Sequence, residues 1–89
     1  MLEALSQEVL DDPTAVSLAR AVNVAKRRAR EHGIVPEDNI LAVSQTTDTD
    51  SYAWRIHFGP KFPEFARGGD FMVDVDPNDG SIRQELWGQ

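Results

Sequence analysis

The alanine-rich segment from Pro13 to Gly33 constrains the fold of this chain more than any other feature. Before it stands Asp11-Asp12, and an aspartate at this point can accept the free N–H groups of a first helical turn, while proline at the first helical position loses no needed donor. Gly33 is the residue type favoured as a left-handed helix terminator. Between these ends, apolar residues recur three or four positions apart and predict one buried face: Ala15, Leu18, Ala19, Val22, Ala25 and Ala29. A face made mostly of alanine predicts a helix that lies close against a sheet.

The remainder of the chain carries strand patterns separated by turn residues. Residues 40–46 have strand composition, residues 52–58 and 71–76 alternate apolar and polar side chains, and residues 82–86 follow the Pro77–Gly80 turn. The alternation assigns these residues to the inward faces of the strands: Ile40, Trp54, Ile56, Phe58, Phe71, Val73, Val75, Ile82 and Leu86. The sequence therefore predicts an α+β domain, with one long helix packed on a three- to four-stranded antiparallel sheet.

Length and composition limit what such a domain can do. The 89 residues leave room for one domain, which we place at residues 13–89, with residues 1–12 as an N-terminal arm or short helix. The absence of cysteine excludes a disulfide framework and thiolate chemistry. The opening residues lack a signal-peptide pattern, and no segment has the length and hydropathy of a membrane span, so we expect a cytoplasmic protein without a membrane association.

The sequence offers little material for catalysis. The two histidines, His32 and His57, have no second histidine or cysteine at ligand spacing, which predicts no metal site, and no cofactor motif is present. The segment Asp74–Ile82 has the alternate oxygens of a calcium loop, but its glycine and isoleucine fall one position late, which favours a plain hairpin turn. No nucleophile elbow accompanies any serine. We therefore expect a protein that is not an enzyme, with no catalytic residues and no cofactor.

Two neighbouring features predict a partner-binding surface. The segment Lys61–Gly69 places Phe62, Phe65 and Arg67 together, and aromatic residues with arginine in a loop are typical of binding hot spots. The alternative is that this segment folds back to cap the edge of the core. On the polar face of the second strand, Arg55 and His57 are predicted to form a charged patch with Asp74 or Asp76 of a neighbouring strand.

The charge distribution predicts a second candidate surface. The chain has a net charge of −6, but residues 1–30 carry +1 and residues 31–89 carry −7. The bases of the first part all lie in the long helix: Arg20, Lys26, Arg27, Arg28 and Arg30. They either complement the negative end of the helix dipole or form a basic patch for an acidic partner. No aromatic residue interleaves with them to stack on bases, which disfavours nucleic acid as that partner.

Three segments carry a family resemblance: the aromatic strand Trp54–Phe58, the glycine-led strand Gly68–Asp76, and the hairpin residues Asp79–Ile82. In this order after a helix, they resemble the small helix-plus-sheet units of PepSY-like domains. They are also similar to the C-terminal half of bacterial immunity proteins with a cystatin-like (nuclear-transport-factor-like) fold. The resemblance implies a non-catalytic role as an inhibitor, an immunity factor or a protein-binding module.

These observations predict a small non-catalytic protein-binding domain, of inhibitor or immunity type, that acts by occluding its partner through residues 61–69 and the face with Arg55 and His57. The alternative is a module whose basic helix binds an acidic protein surface or nucleic acid. Because a small sheet has free edges, a homodimer formed through a strand edge or the open sheet face is a further expectation.

Overall fold

The computed structural model describes residues 7–47, 51–61 and 70–88. Within these residues, a short helix and a long helix precede a single 3₁₀ turn and four strands. The elements are α1 (Gln7–Leu10), α2 (Pro13–Glu31), the 3₁₀ turn (Pro36–Asp38), β1 (Asn39–Thr47), β2 (Tyr52–Pro60), β3 (Phe71–Val75) and β4 (Ile82–Trp87). The strands form one sheet in the order β1-β2-β3-β4, and every neighbouring pair is antiparallel. The predicted α+β fold class is therefore confirmed, with four strands in the sheet.

Both ends of α2 are fixed by the residues that the sequence indicates. The Asp12 carboxylate accepts hydrogen bonds from the backbone N–H groups of Thr14 and Ala15, at 2.9 and 3.2 Å. At the other end Gly33 has φ +80°, and the N–H groups of Gly33 and Ile34 donate to the carbonyls of Arg30 and Ala29. This paired arrangement is the Schellman motif, which satisfies carbonyls that the last helical turn leaves free.

The core lies between α2 and the two central strands. Side chains of β2 and β3 that are opposite one another in the ladder, such as Ile56 and Val73 or Phe58 and Phe71, are buried on the helix side of the sheet. The helix contributes Ala21, Ala25 and Ala29, each at most 1% exposed, with Leu18 and Val22 packed beside them. Alanine at these positions lets the helix axis approach the sheet closely.

The buried face of α2 differs in part from the predicted one. Ala21 is buried although the prediction omitted it, while Ala19 is exposed although the prediction included it. The helix is turned toward the β3–β4 side of the sheet, where the Ser17 hydroxyl donates to the Pro77 carbonyl at 2.6 Å and Arg20 donates to the Asn78 carbonyl at 2.8 Å. These two polar contacts orient α2 so that the face with Ala21 is buried. The spacing of apolar residues alone does not predict such contacts.

The inward assignments at the edge strands are also corrected. Ile40 is 58% exposed, because it lies opposite Gly59 and so projects from the face away from the helix, while Leu41 takes the inward place. In β4, an irregularity in the β3–β4 register at Asp74/Val75 shifts the alternation. Ile82 lies opposite Val75 and so projects to the helix side as predicted, although it is 37% exposed, whereas Leu86 lies opposite Met72 on the face away from the helix.

The end of α2 is tied to β4 by a polar and aromatic cluster. Glu85 Oε1 accepts a hydrogen bond from Arg28 Nε at 3.0 Å and lies 2.7 Å from His32 Nε2. The His32 ring meets Phe71 and Trp87 edge-on, with both centroid distances 5.2 Å. The hydrogen bond from Arg28 is the main cause of a lowered pKa for the Glu85 carboxyl.

Within the part of the chain that the structure describes, no helix is long and apolar enough to cross a membrane.

Candidate functional site

The face of the sheet away from α2 is the principal candidate surface, and we call it the open sheet face. Residues opposite one another in an antiparallel ladder project to the same side, so the register defines its members. They come from alternate positions of all four strands: Ile40, Ala42, Ser44, Thr46, Ala53, Arg55, His57, Met72, Asp74, Gln84 and Leu86. Among the described residues, no helix or further strand packs on this face.

A buried ion pair lies at the centre of the open sheet face. Arg55 donates to Asp74 in a bidentate arrangement, with Nε 2.8 Å from Oδ1 and Nη2 2.9 Å from Oδ2. Gln84 Nε2 adds a hydrogen bond to Oδ2 at 2.6 Å. The Asp74 side chain is only 5% exposed, whereas that of Arg55 is 30% exposed. The carboxylate is therefore enclosed, and the guanidinium reaches from it toward solvent.

The protonation states of this pair follow from its geometry. The hydrogen bonds from Arg55 are the largest influence on Asp74 and lower the pKa of its carboxyl, against the opposing effect of burial. The same contact raises the pKa of Arg55. Both groups are thus charged at neutral pH, and the guanidinium is held in one orientation. A preorganised arginine of this kind loses little conformational entropy when it binds a partner.

His57 lies beside this pair, with an acid that the sequence did not assign to it. Its Nε2 is 2.8 Å from Asp70 Oδ2, close enough for an ion pair when the imidazole is protonated. The predicted partners of the patch were Asp74 or Asp76. Asp74 pairs with Arg55 as expected, but Asp76 pairs with Arg83 at 2.7 Å. Asp70 precedes β3, two residues before Met72, which lies opposite His57; its approach to His57 therefore depends on the β2–β3 register, which alternation alone does not fix.

An apolar groove extends from His57 toward the edge of the sheet. It encloses about 370 Å³ and is lined by Ile40, Ala42, His57, Gly59, Pro60 and Asp70. Gly59 opposes Ile40 across the β1–β2 ladder and places no side chain of its own beside that isoleucine. The open sheet face therefore offers an apolar depression, a His–Asp pair and an oriented arginine in succession.

The other predicted binding residues, Phe62, Phe65 and Arg67, lie outside the described residues. The segment that contains them connects two residues whose places are known. At one end, Lys61 Nζ donates to the Glu37 carbonyl at 2.6 Å, and at the other, the Asp70 carbonyl accepts a hydrogen bond from the Gly88 N–H at 2.7 Å. The described residues on the two sides of this segment lie at the groove, because Pro60 and Asp70 both line it.

The five basic residues of α2 project in different directions and have different partners. At about 100° per residue they project around much of the helix. Arg20 and Arg28 turn toward the sheet, where they bind the Asn78 carbonyl and Glu85. Arg30 lies 3.4 Å from Glu37, and both of these side chains are exposed. Lys26 and Arg27 have no ion pair with any residue in the described ranges.

The acidic hairpin after β3 uses its carboxylates within the turn. Asp76 Oδ1 accepts hydrogen bonds from the N–H groups of Asn78 and Asp79, while Asp79 Oδ1 accepts one from Ser81. Gly80 has φ +77°, which suits a residue without a Cβ. The structure shows the turn that the sequence favours over a calcium loop. Across the residues that are described, no cluster of three or more histidine, aspartate or glutamate side chains could hold a metal ion.

Comparisons with protein-family models, characterised proteins and solved structures give no match to this chain. The resemblance to PepSY-like and cystatin-like immunity proteins stays a prediction.

Proposed function

We propose that this domain binds a protein partner through the open sheet face and has no catalytic activity of its own. The observation that carries the proposal is the succession of an apolar groove and an oriented charged pair on a face that no described element covers. Binding hot spots characteristically combine a buried apolar anchor with an arginine held in place. Ile40, 58% exposed at the rim of the groove, supplies apolar surface that remains uncovered in the monomer.

The chemistry of the face indicates the kind of partner. The groove suits an apolar side chain, since carbon atoms dominate its surface and Gly59 leaves it unfilled. Asp74 engages Nε and Nη2 of Arg55, and Nη1 makes no hydrogen bond with any described residue, so it can donate to a carbonyl or carboxylate of the partner. A segment with an apolar residue next to an acidic one fits both features.

An inhibitor or immunity-type action is the form of this function that we favour. Such a factor acts by covering a surface of its partner, which requires a rigid face and no reactive group. The ladder of four paired strands supplies the rigidity. We further propose that Phe62, Phe65 and Arg67 extend the contact, because Pro60 and Asp70, which flank their segment, line the groove.

The test compares two substitutions that add the same charge to different surfaces. Ile40→Asp alters the open sheet face, whereas Val16→Asp alters a position of α2 that is 37% exposed and distant from that face. Partners captured by the wild-type protein from extracts of its native host are identified by mass spectrometry, purified and titrated calorimetrically. We expect Ile40→Asp to weaken binding at least tenfold, on the order of 1.4 kcal/mol, and Val16→Asp to leave it unchanged.

Circular dichroism verifies that both variants fold. Equal affinities for the wild-type protein and Ile40→Asp would contradict binding through the open sheet face. A Phe62→Ala/Phe65→Ala double variant then measures the contribution of the neighbouring segment: we expect a further loss of affinity, and an unchanged affinity would remove those residues from the binding site.

A further inference from the structure

We infer that β1 pairs with β1 of a second copy of this chain, so that two sheets join into one of eight strands. This association is independent of the proposed function, because it uses the outer edge of the sheet and not the open sheet face. Three observations support it: the free edge, the composition of β1, and the contrast with β4.

The first observation is that β1 is a long strand whose outer edge pairs with no strand among residues 7–47, 51–61 and 70–88. Its nine residues all pair with β2, from Asn39 opposite Pro60 to Thr47 opposite Tyr52, and β1 ends the sheet order on that side. The register has no irregularity along this length. An unpaired edge of this kind presents a row of backbone donors and acceptors that can extend the ladder.

The second observation is that β1 carries no charge. Its sequence is Asn-Ile-Leu-Ala-Val-Ser-Gln-Thr-Thr, in a chain of which 27% is charged. Natural edge strands are normally protected from pairing by charged residues, proline or bulges, and β1 has none of these. It is also poorly covered, since α2 packs on β2 and β3 and leaves Val43 on the helix side 38% exposed.

The opposite edge of the sheet, β4, has the features that protect an edge strand from pairing with another chain. β4 has six residues, includes Arg83 and Glu85, and pairs with β3 through an irregular register at Asp74/Val75. Arg83 is engaged by Asp76, and Glu85 by Arg28 and His32. The two edges of one sheet thus differ in length, charge and regularity, and β1 is the edge suited to pairing.

A second copy fits this edge because a strand without charged residues can pair with itself. When a strand pairs antiparallel with itself about a two-fold axis, each residue lies opposite its mirror position, and any charge near the centre faces a like charge or must be matched. Centred on Val43, the pairing places Leu41 opposite Gln45 and Ile40 opposite Thr46 of the other copy, with neutral residues throughout. Val43 faces its own counterpart and loses its exposure.

The test places charges at the two-fold axis. Val43→Lys and Val43→Glu each put like charges opposite one another, whereas a mixture of the two puts opposite charges there. Val43 is on the helix side of β1, so neither variant alters the open sheet face. Sedimentation equilibrium on the full chain measures association, and circular dichroism confirms folding of each variant.

We expect the wild-type protein to form a dimer, each charged variant to dissociate at least about tenfold more readily, and the equimolar mixture to regain dimers. Val43→Thr, which stays β-branched and neutral, should still dimerise. Since the chain has no cysteine, Val43→Cys provides a second readout: mild oxidation should link two 9.9 kDa chains, and Val16→Cys should not link. A monomeric wild-type protein at millimolar concentration, or charged variants that dimerise as well alone as mixed, would overturn the inference.

Discussion

Removing Arg55 and removing Asp74 from their ion pair should lower the stability of the protein by different amounts. Arg55→Met removes the guanidinium and leaves the carboxylate, which is 5% exposed, with Gln84 as its remaining hydrogen-bond donor. Asp74→Asn removes the negative charge and leaves the guanidinium, which is 30% exposed and can be hydrated. Arg55→Met therefore leaves an unpaired charge in the interior, and Asp74→Asn does not.

The expected magnitudes follow from this difference. Removing one partner of a buried pair costs about 3 to 5 kcal/mol, and the hydrogen bond from Gln84 offsets part of it, so we expect Arg55→Met to lower the free energy of unfolding by about 2 to 4 kcal/mol. For Asp74→Asn we expect about 1 to 2 kcal/mol, because the arginine that remains is solvated. The double variant should lose less than the sum, with a coupling of about 1.5 to 3 kcal/mol.

At acid pH, Arg55→Met should lower the free energy of unfolding by a smaller amount than at neutral pH. In the wild-type protein the lowered pKa of Asp74 gives a stability contribution that is complete above the unfolded pKa, about 3.9, and is lost as the pH falls through the folded pKa. Without Arg55, burial raises the pKa of that carboxyl. Protonation then relieves the buried charge of the variant as the pH falls toward the unfolded value of about 3.9, and below that value the wild-type protein loses its own contribution, so the difference between the two proteins shrinks over both ranges.

Urea unfolding of the four proteins at pH 7, followed by tryptophan fluorescence and far-ultraviolet circular dichroism, measures these quantities. Arg55→Leu, a second apolar replacement, checks that the loss reflects the absent charge and not the shape of methionine. The reasoning is refuted if Asp74→Asn costs as much as Arg55→Met, or if the double variant equals the sum of the single ones.

Two further predictions concern the fold. Ala25→Leu should lower the free energy of unfolding by about 1 to 3 kcal/mol, because it overfills the contact between α2 and the sheet, whereas Ala19→Leu on the exposed side should change it by less than about 0.5 kcal/mol. Thermal melts measure both effects, and equal effects would contradict the assignment of the buried face of α2. Acid should destabilise the wild-type protein, since the carboxyls of Asp74, Asp76 and Glu85 have lowered pKa values. Their contribution is complete above about pH 4.3, the higher of the unfolded values, and disappears as the pH falls through the folded ones; urea midpoints that stay constant from pH 6 to 3 would contradict this.

The central part of the fold could be predicted from the sequence, and the edges could not. The limits of α2 depend on local chemistry, the Asp12 cap and the Gly33 terminator, which short-range patterns report. Strands β2 and β3 lie under the helix, so their alternation matches their burial. Among the described residues α2 packs mainly on β2 and β3, and alternation in β1 and β4 is therefore less closely related to the core, as the exposure of Ile40 demonstrates.

The candidate site followed the same division. Arg55 and His57 were identified because they occupy the polar positions of a strand whose other positions are clearly apolar. Asp70 and Gln84 were missed because they reach the site through the β2–β3 and β3–β4 registers. A one-residue change of register moves a side chain to the other face, and the irregularity at Asp74/Val75 makes such a change here.

Polar contacts near both ends of α2 fix the position of the helix along its own axis. The fully buried residues of α2 are alanines, with Leu18 and Val22 packed beside them, and short side chains interlock with a sheet less than long ones do. Near the start of the helix, the Ser17 hydroxyl accepts a hydrogen bond from the Trp54 indole at 2.8 Å and donates to the Pro77 carbonyl. Near its end, Arg28 binds Glu85. Ser17 and Arg28 are eleven residues apart, about 16 Å along the axis, and their contacts together hold the helix at one position on the sheet.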